Sequence, residues 1–180
     1  MKKILVFGAS NSASSINKQL AFYAASTING AEKTYIDLKD FPLPLYCIDD
    51  QKAEGFPEKA SEFHQLLENH DGYIISLAEH NHNFTSVFKN IIDWVSRMDR
   101  NMWKGKPMLL LSTSPGGRGG RNVMDIALSS MKMMGANITG HLCLPSFYDN
   151  FKPEQGILQE ALQQELVEKV ASFMQVLTEQ

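Results

Sequence analysis

Five strand-length apolar runs with helical patterns between them constrain this chain more than any other feature. Residues 4–7 (ILVF), 73–77 (YIISL), 108–111 (MLLL) and 138–144 (ITGHLCL) are aliphatic-rich, and residues 34–38 (TYIDL) are β-branched and aromatic. Apolar character that is continuous rather than alternating belongs to strands covered on both faces. Between the runs, apolar residues recur at helical spacing: Ile16, Leu20, Tyr23 or Ala24, and Ile28; Ala60, Phe63, Leu67; Phe88, Ile91, Ile92, Val95; and Val123, Ile126, Ala127, Met131, Met134. After the fifth run, Leu158, Leu162, Leu166, Val170, Phe173 and Leu177 continue the pattern. Each set predicts an amphipathic helix. Strand–helix alternation joins parallel strands through right-handed crossovers. The expected fold is therefore α/β: a doubly wound five-stranded parallel sheet with helices on both faces. Residues 41–55 carry prolines and no clear period, and read as a loop.

Composition narrows the function classes. A chain of 180 residues with 43% hydrophobic and 21% charged residues reads as one globular domain, residues 1–180. A net charge of −3 gives no electrostatic footprint for nucleic acid or an anionic membrane. No apolar run approaches the roughly 20 residues that span a bilayer. Residues 4–7, stopped by Gly8, are too few for a signal-peptide core, so a cytoplasmic location is expected. Cys47 and Cys143 lie far apart and neither has a CxxC partner, which implies neither a disulfide framework nor a zinc site.

In a doubly wound sheet the loops after the strands gather at one edge, where ligands bind. Three such loops here are chemically unusual. Residues 8–17 hold Ser10, Ser12, Ser14, Ser15, Asn11 and Asn17. Hydroxyls beside free N–H groups at a helix start make a cradle for a phosphate monoester. A helix cap alone needs only one serine. The loop has neither the lysine of a triphosphate loop nor the GxGxxG dinucleotide fingerprint. Residues 78–83 (AEHNHN) form a second, polar loop that suits holding the edge of a flat ring. His80 and His82 are two apart, so in an extended segment they point to opposite sides, which argues against a shared metal. Residues 112–121 (STSPGGRGGR) form the third, with four glycines in five positions that let backbone approach a ligand.

Together these loops resemble the NADPH-dependent FMN reductase family, the flavodoxin-like quinone, azo-compound and chromate reductases. The family patterns run roughly GSxRxxSxN, PEYNxSxPxxLKNAIDWxSR and SxGxxGGxR. Ser15, Ile16 and Asn17 match the end of the first. Glu79, Asn81, Lys89, Asn90, Ile92, Asp93, Trp94, Ser96 and Arg97 match the second closely. Ser114, Gly116, Gly119, Gly120 and Arg121 match the third loosely. The resemblance runs from Ile4 to about Leu144. The chain departs at several positions: Asn11 or Ser12 stands where the family has its phosphate-loop arginine, in a loop one residue longer. Ala78, His80 and Asn83 replace the family Pro, Tyr and Ser.

The resemblance implies a flavodoxin-like domain that holds FMN. Its phosphate is expected on Ser10, Ser12, Ser15, Ile16 and Asn17, and Glu79, His80, Asn81 and Asn83 are expected to border its ring. Ser114 and the backbone N–H groups of Gly116 and Gly117 are expected at its pyrimidine edge. NADPH or NADH would donate hydride, and small acceptors such as quinones would take the electrons in turn. The flavin does the chemistry, so no catalytic residue is expected beyond a proton from His80 or His82. A flavodoxin-type carrier, or a flavin-free binding protein of the same fold, are the alternatives. A homodimer or homotetramer is also implied, with Trp103 and residues 97–100 as contact candidates.

Overall fold

Alternation along the central strands builds two cores, one on each face of a single sheet. The computed structural model describes residues 1–179. Its elements are, in order, β1 (Lys2–Gly8), α1 (Ile16–Ser26), β2 (Ala31–Tyr35), α2 (Ile48–Glu54), α3 (Glu58–Asn69), β3 (Gly72–Leu77), β4 (Glu79–His80), β5 (Asn83–Phe84), α4 (Ser86–Met98), β6 (Pro107–Thr113), α5 (Arg121–Met133), β7 (Asn137–Leu144), α6 (Phe147–Asn150), β8 (Phe151–Lys152), β9 (Gly156–Ile157) and α7 (Glu160–Glu179). Five strands form a parallel sheet in the order β2-β1-β3-β6-β7, with Leu5 beside Tyr73 and Tyr73 beside Met108. Successive side chains of a strand point to opposite faces. Leu5, Phe7, Ile75 and Leu110 meet Phe63, Phe88, Ile91 and Val123 from α3, α4 and α5. Ile4, Val6, Ile74 and Leu109 meet Leu20, Ala24, Leu166 and Phe173 from α1 and α7. Burying each such large side chain contributes about 1.5–3 kcal/mol, which is why these positions tolerate no polar residue.

The sheet matches the expected fold class, with four local differences. The second strand is Ala31–Tyr35 rather than residues 34–38. It is an edge strand with a half-exposed face, so AEKTY shows no apolar run, and Asp37 instead caps a short 3₁₀ turn over Leu38–Asp40. The proline loop contains a short helix, α2, headed by Cys47. The polar segment after β3 is a hairpin, β4–β5. Leu158 lies outside α7 and is exposed, because the last helix starts at Glu160. Trp103 is also not a surface contact: it is wholly buried against Tyr73, ring centroids 5.5 Å apart.

Gly8 ends β1 where α1 crosses closest. A Cβ there would strike the backbone of Lys18 and lie 2.7 Å from its Cα. Its lack of a side chain sets the start of α1 directly over the end of β1 and so fixes the position of the serine loop.

Candidate cofactor site

The serine loop is held at its two ends and open in the middle. Ser15 caps α1, its Oγ accepting from the N–H of Lys18 at 3.1 Å, and Ser10 Oγ accepts from the N–H of Ser12 at 3.2 Å. The hydroxyls of Ser12 and Ser14 lie 3.4 Å apart. Among the described residues, the backbone N–H groups of Asn11, Ala13, Ser14, Ile16 and Asn17 donate to no protein acceptor. An anion would satisfy several of them at once, at the positive end of an eleven-residue helix. Lys18 lends the loop little charge. Its Nζ is 2.6 Å from Asp37 Oδ2 and 3.3 Å from the carbonyl of Ala13. Burial pushes the Asp37 carboxyl up, but the Lys18 hydrogen bond, the Lys39 amide and both lysine charges outweigh it and hold Asp37 below the usual carboxylate range.

Asn17 lies beneath this loop and is a junction of three elements. Its Oδ1 accepts from Ser76 Oγ of β3 at 2.7 Å and from the N–H of Thr113 of β6 at 3.0 Å. Its Nδ2 donates to the carbonyl of Thr113 at 3.0 Å. The side chain is buried and its oxygen already accepts twice, so what Asn17 offers a ligand is its backbone N–H.

The second loop turns in two residues. Asn81 and His82 both take positive φ, 49° and 64°, the left-handed pair of a type I′ hairpin. Asn accepts that region readily, His less so. The turn leaves Glu79 pointing at the start of α5. Glu79 Oε2 accepts from the N–H of Val123 at 3.0 Å and Oε1 from Asn122 Nδ2 at 3.1 Å. Gly120 at the helix cap has no side chain to do this, so a carboxylate from another loop caps α5, where the helix dipole favours negative charge. His82 leans on the same Asn122, 2.8 Å from Nδ1 to Nδ2. Thr85 then caps α4, and its hydroxyl donates to the carbonyl of Ala9 at 2.8 Å, tying the hairpin to the serine loop.

The third loop is shaped by its neighbours. Gly119 has φ 57°, and a Cβ on it would be 2.6 Å from the carbonyl of Leu144. Ser112 Oγ donates to the Gly119 carbonyl at 2.8 Å. The N–H of Ser146 donates to the Gly116 carbonyl and that of Phe147 to the Ser114 carbonyl, each at 3.0 Å. Ser146 makes both possible by adopting φ 44°, a conformation that costs a non-glycine residue about 1 kcal/mol or more.

The three loops enclose a cavity of about 280 Å³ at the carboxyl edge of the sheet. Of the residues expected from sequence, Ser10, Ser12, Ser15, Ile16 and Asn17 line one side, and Glu79, His80 and Ser114 the other. Asn81, Asn83, Gly116 and Gly117 do not line it. Asn81 sits in the turn, and Asn83 folds its Oδ1 back 2.8 Å from the N–H of Phe84. Gly117 opens instead onto a second cavity. Sequence reasoning missed Thr113, Pro115 and Tyr148 in the lining. Tyr148, 63% exposed, follows the last sheet strand with no pattern to mark it. The donor set suits a phosphate ester, with several unused N–H groups and hydroxyls in one concavity. None of the lining residues is an arginine or lysine.

A doubly wound sheet in the order β2-β1-β3-β6-β7, with a hydroxyl-rich loop after its first strand and a cavity at its carboxyl edge, defines a flavodoxin-like α/β protein. Comparison with known proteins narrows this further. Residues 2–149 match the NADPH-dependent FMN reductase family, and the chain belongs to it. It is 36% identical to a 2-hydroxy-1,4-benzoquinone reductase of a Burkholderia species over 118 residues, 65% of this chain and 63% of that protein. It is 37% identical to a quinone reductase of Escherichia coli K12 over 78 residues, 43% of this chain and 42% of that one. The chain thus spans less than two thirds of the length of these two relatives. The solved structure of FerB, a flavoenzyme NAD(P)H:(acceptor) oxidoreductase from Paracoccus denitrificans, superposes with a TM-score of 0.80 at 23% identity. That match covers 99% of this chain and 98% of FerB, and at that identity it speaks for the fold. Flavin-dependent oxidoreduction, which the resemblance of the sequence implies, is the chemistry of the family.

Proposed function

We propose that this chain is an NAD(P)H-dependent FMN reductase that reduces quinones, azo compounds, free flavin or similar small acceptors in alternating half-reactions. The observation that carries the reading is the single cavity joining the unused N–H groups of the serine loop to the hairpin and the 113–115 segment. The Burkholderia and E. coli relatives, both quinone reductases, support the acceptor class. FMN held in that cavity would supply the redox chemistry between a reduced nicotinamide and a small acceptor. The chain's own part is binding and orientation. The N–H groups of Ser14, Ile16 and Asn17, with the Ser12 and Ser14 hydroxyls, are assigned to the phosphate. Glu79 holds the hairpin against α5 so that His80 borders the ring. Ser114, which lines the cavity beside Thr113 and Pro115, is assigned to its polar edge. No side chain is assigned as catalytic acid or base.

No helix of the described residues is long and apolar enough to cross a membrane. We assign the protein to the cytoplasm, with small-molecule acceptors as its partners and neither nucleic acid nor membrane among them. We also assign it a second copy of itself. Leu45 is 82% exposed beside an apolar groove of about 360 Å³ bounded by Phe41, Leu43 and Val87, and Ile48 and Phe56 are exposed nearby. Purified protein with added FMN should show a bound visible flavin band that bleaches under anaerobic NADPH or NADH. A bound band that stays oxidised would make the protein a carrier. No bound band would leave only the fold in common with the family.

A further inference from the structure

A second cavity, about 450 Å³, lies one loop away from the first, between the start of α5, the edge strand β7 and α7. Arg118 and Arg121 stand on one side, His141 and Cys143 on the strand, and Leu162 and Glu165 on the last helix. Leu142 and Pro145 add apolar wall. Its polar groups are mostly unused. Among the described residues, the side chains of Arg121, His141 and Glu165 make no hydrogen bond or ion pair, and Arg118 spends one N–H on Asn122. Gly117 presents a backbone N–H with no protein acceptor and no crowding around its Cα. Two guanidiniums against one carboxylate leave the mouth net positive. Burial, with Lys169 and Arg121, holds His141 below its usual range, and Glu165 and Asp125 pull the other way.

The same loop serves both cavities: Ser114 and Pro115 face the flavin side, Gly117 and Arg118 this one. We propose that this second cavity binds the phosphorylated adenosine half of the nicotinamide donor, with Arg118 and Arg121 on a phosphate and Glu165 on a ribose hydroxyl. The inference rests on the proposed donor chemistry. Guanidinium forks match phosphate oxygens in pairs, and an ionised carboxylate accepts from hydroxyls such as those of a ribose. Leu142, Leu162 and Pro145 supply a surface for the base. The volume falls in the range of about 300–1,000 Å³ usual for small-ligand sites. With two arginines to one glutamate, the 2′-phosphorylated donor is the better match.

The test is calorimetric titration of the purified protein, before and after FMN addition, with adenosine 2′,5′-bisphosphate and with 5′-AMP. The bisphosphate should bind about tenfold more tightly than 5′-AMP, and Arg118→Gln or Arg121→Gln should each weaken it about tenfold. The same variants should raise KM for NADPH by a similar factor and keep their FMN, read from the visible band. The proposal is overturned by no bisphosphate binding or by equal binding in both variants. It is overturned too if flavin is lost in step, which would put the arginines on the FMN phosphate. A change in oligomeric mass with unaltered nucleotide binding would make the cavity an interface and overturn it as well. Should an arginine variant fail to fold, inhibition of wild-type NADPH oxidation by the bisphosphate decides: competition supports the site, no inhibition refutes it. Bisphosphate binding through both arginines in a protein that takes up no FMN would uphold this cavity while refuting the reductase reading.

Discussion

Replacing Asn17 tests whether the residue at the heart of the site is scaffold or ligand. In Asn17→Ala, three buried groups lose their partner: the N–H and the carbonyl of Thr113, and the Ser76 hydroxyl. A buried donor or acceptor left unmade costs about 1–3 kcal/mol. The hydroxyl can rotate to another acceptor, and the site borders a cavity from which water can enter. The sum is therefore about 3 kcal/mol, against a stability of about 5–15 kcal/mol for a domain of this kind. Ser76→Ala removes one donor only and should cost about 1 kcal/mol. Because both act through Asn17 Oδ1, the double variant should lose less than the sum. The measurement is urea unfolding of flavin-free protein, so that cofactor binding contributes nothing. If Asn17→Ala loses less than about 1 kcal/mol there yet no longer retains FMN, the side chain is a ligand contact and the reasoning from its hydrogen bonds is wrong.

Ser12→Arg restores a cation to a cradle with none in its lining. An exposed charge-assisted contact of about 1 kcal/mol should tighten FMN about fivefold by fluorescence titration. Gly8→Ala drives a methyl into the backbone of Lys18 and Asn17. It should cost about 1–3 kcal/mol and weaken FMN binding, because the start of α1 must move. Leu45→Glu, at a residue 82% exposed, should lower the molar mass seen by light scattering without lowering the melting temperature. His141 has a folded pKa below its ordinary value through burial, Lys169 and Arg121. The unfolded chain therefore binds the proton first, and stability is full above about pH 6.5 and falls as pH drops through the folded value. His141→Gln should flatten that slope in melts between pH 7 and 5, and an unchanged slope would assign it to other groups.

The doubly wound sheet was legible because its three inner strands are buried on both faces, which forces runs such as YIISL and MLLL. The edge strand AEKTY was not, because one covered face demands only alternate apolar positions and five residues are too few to show them. The serine loop was legible from the excess of hydroxyls over what a helix cap needs. The hairpin was not: Asn81-His82 lacks the glycine that usually announces a type I′ turn, and its positive φ values come from a fold held by Glu79 on α5 and Thr85 on Ala9. Tyr148 and the second cavity depend on where residues 145–158 return, and no local pattern encodes a tertiary return.

The helix that most clearly identifies the family contributes mostly scaffold. Asn90 accepts from the N–H of Tyr46 at 2.8 Å and donates to the carbonyl of Pro44 at 2.9 Å, and Trp94 Nε1 donates to the same carbonyl at 2.8 Å. Lys89 and Asp93 pair on the surface, 2.6 Å apart, a contact worth well under 1 kcal/mol. So the asparagine and tryptophan of the motif fasten the proline segment that carries Leu45, and they touch the serine loop only through the Thr85 cap at the head of their helix. Several constraints meet at those two side chains, since each must reach a backbone carbonyl while Trp94 also stays buried. A serine in the cradle needs only to present a hydroxyl or leave an N–H free, and many sequences meet that condition. The residues easiest to read in this chain are thus the most constrained by packing, while those that would choose the ligand stand in loops where substitution costs little stability.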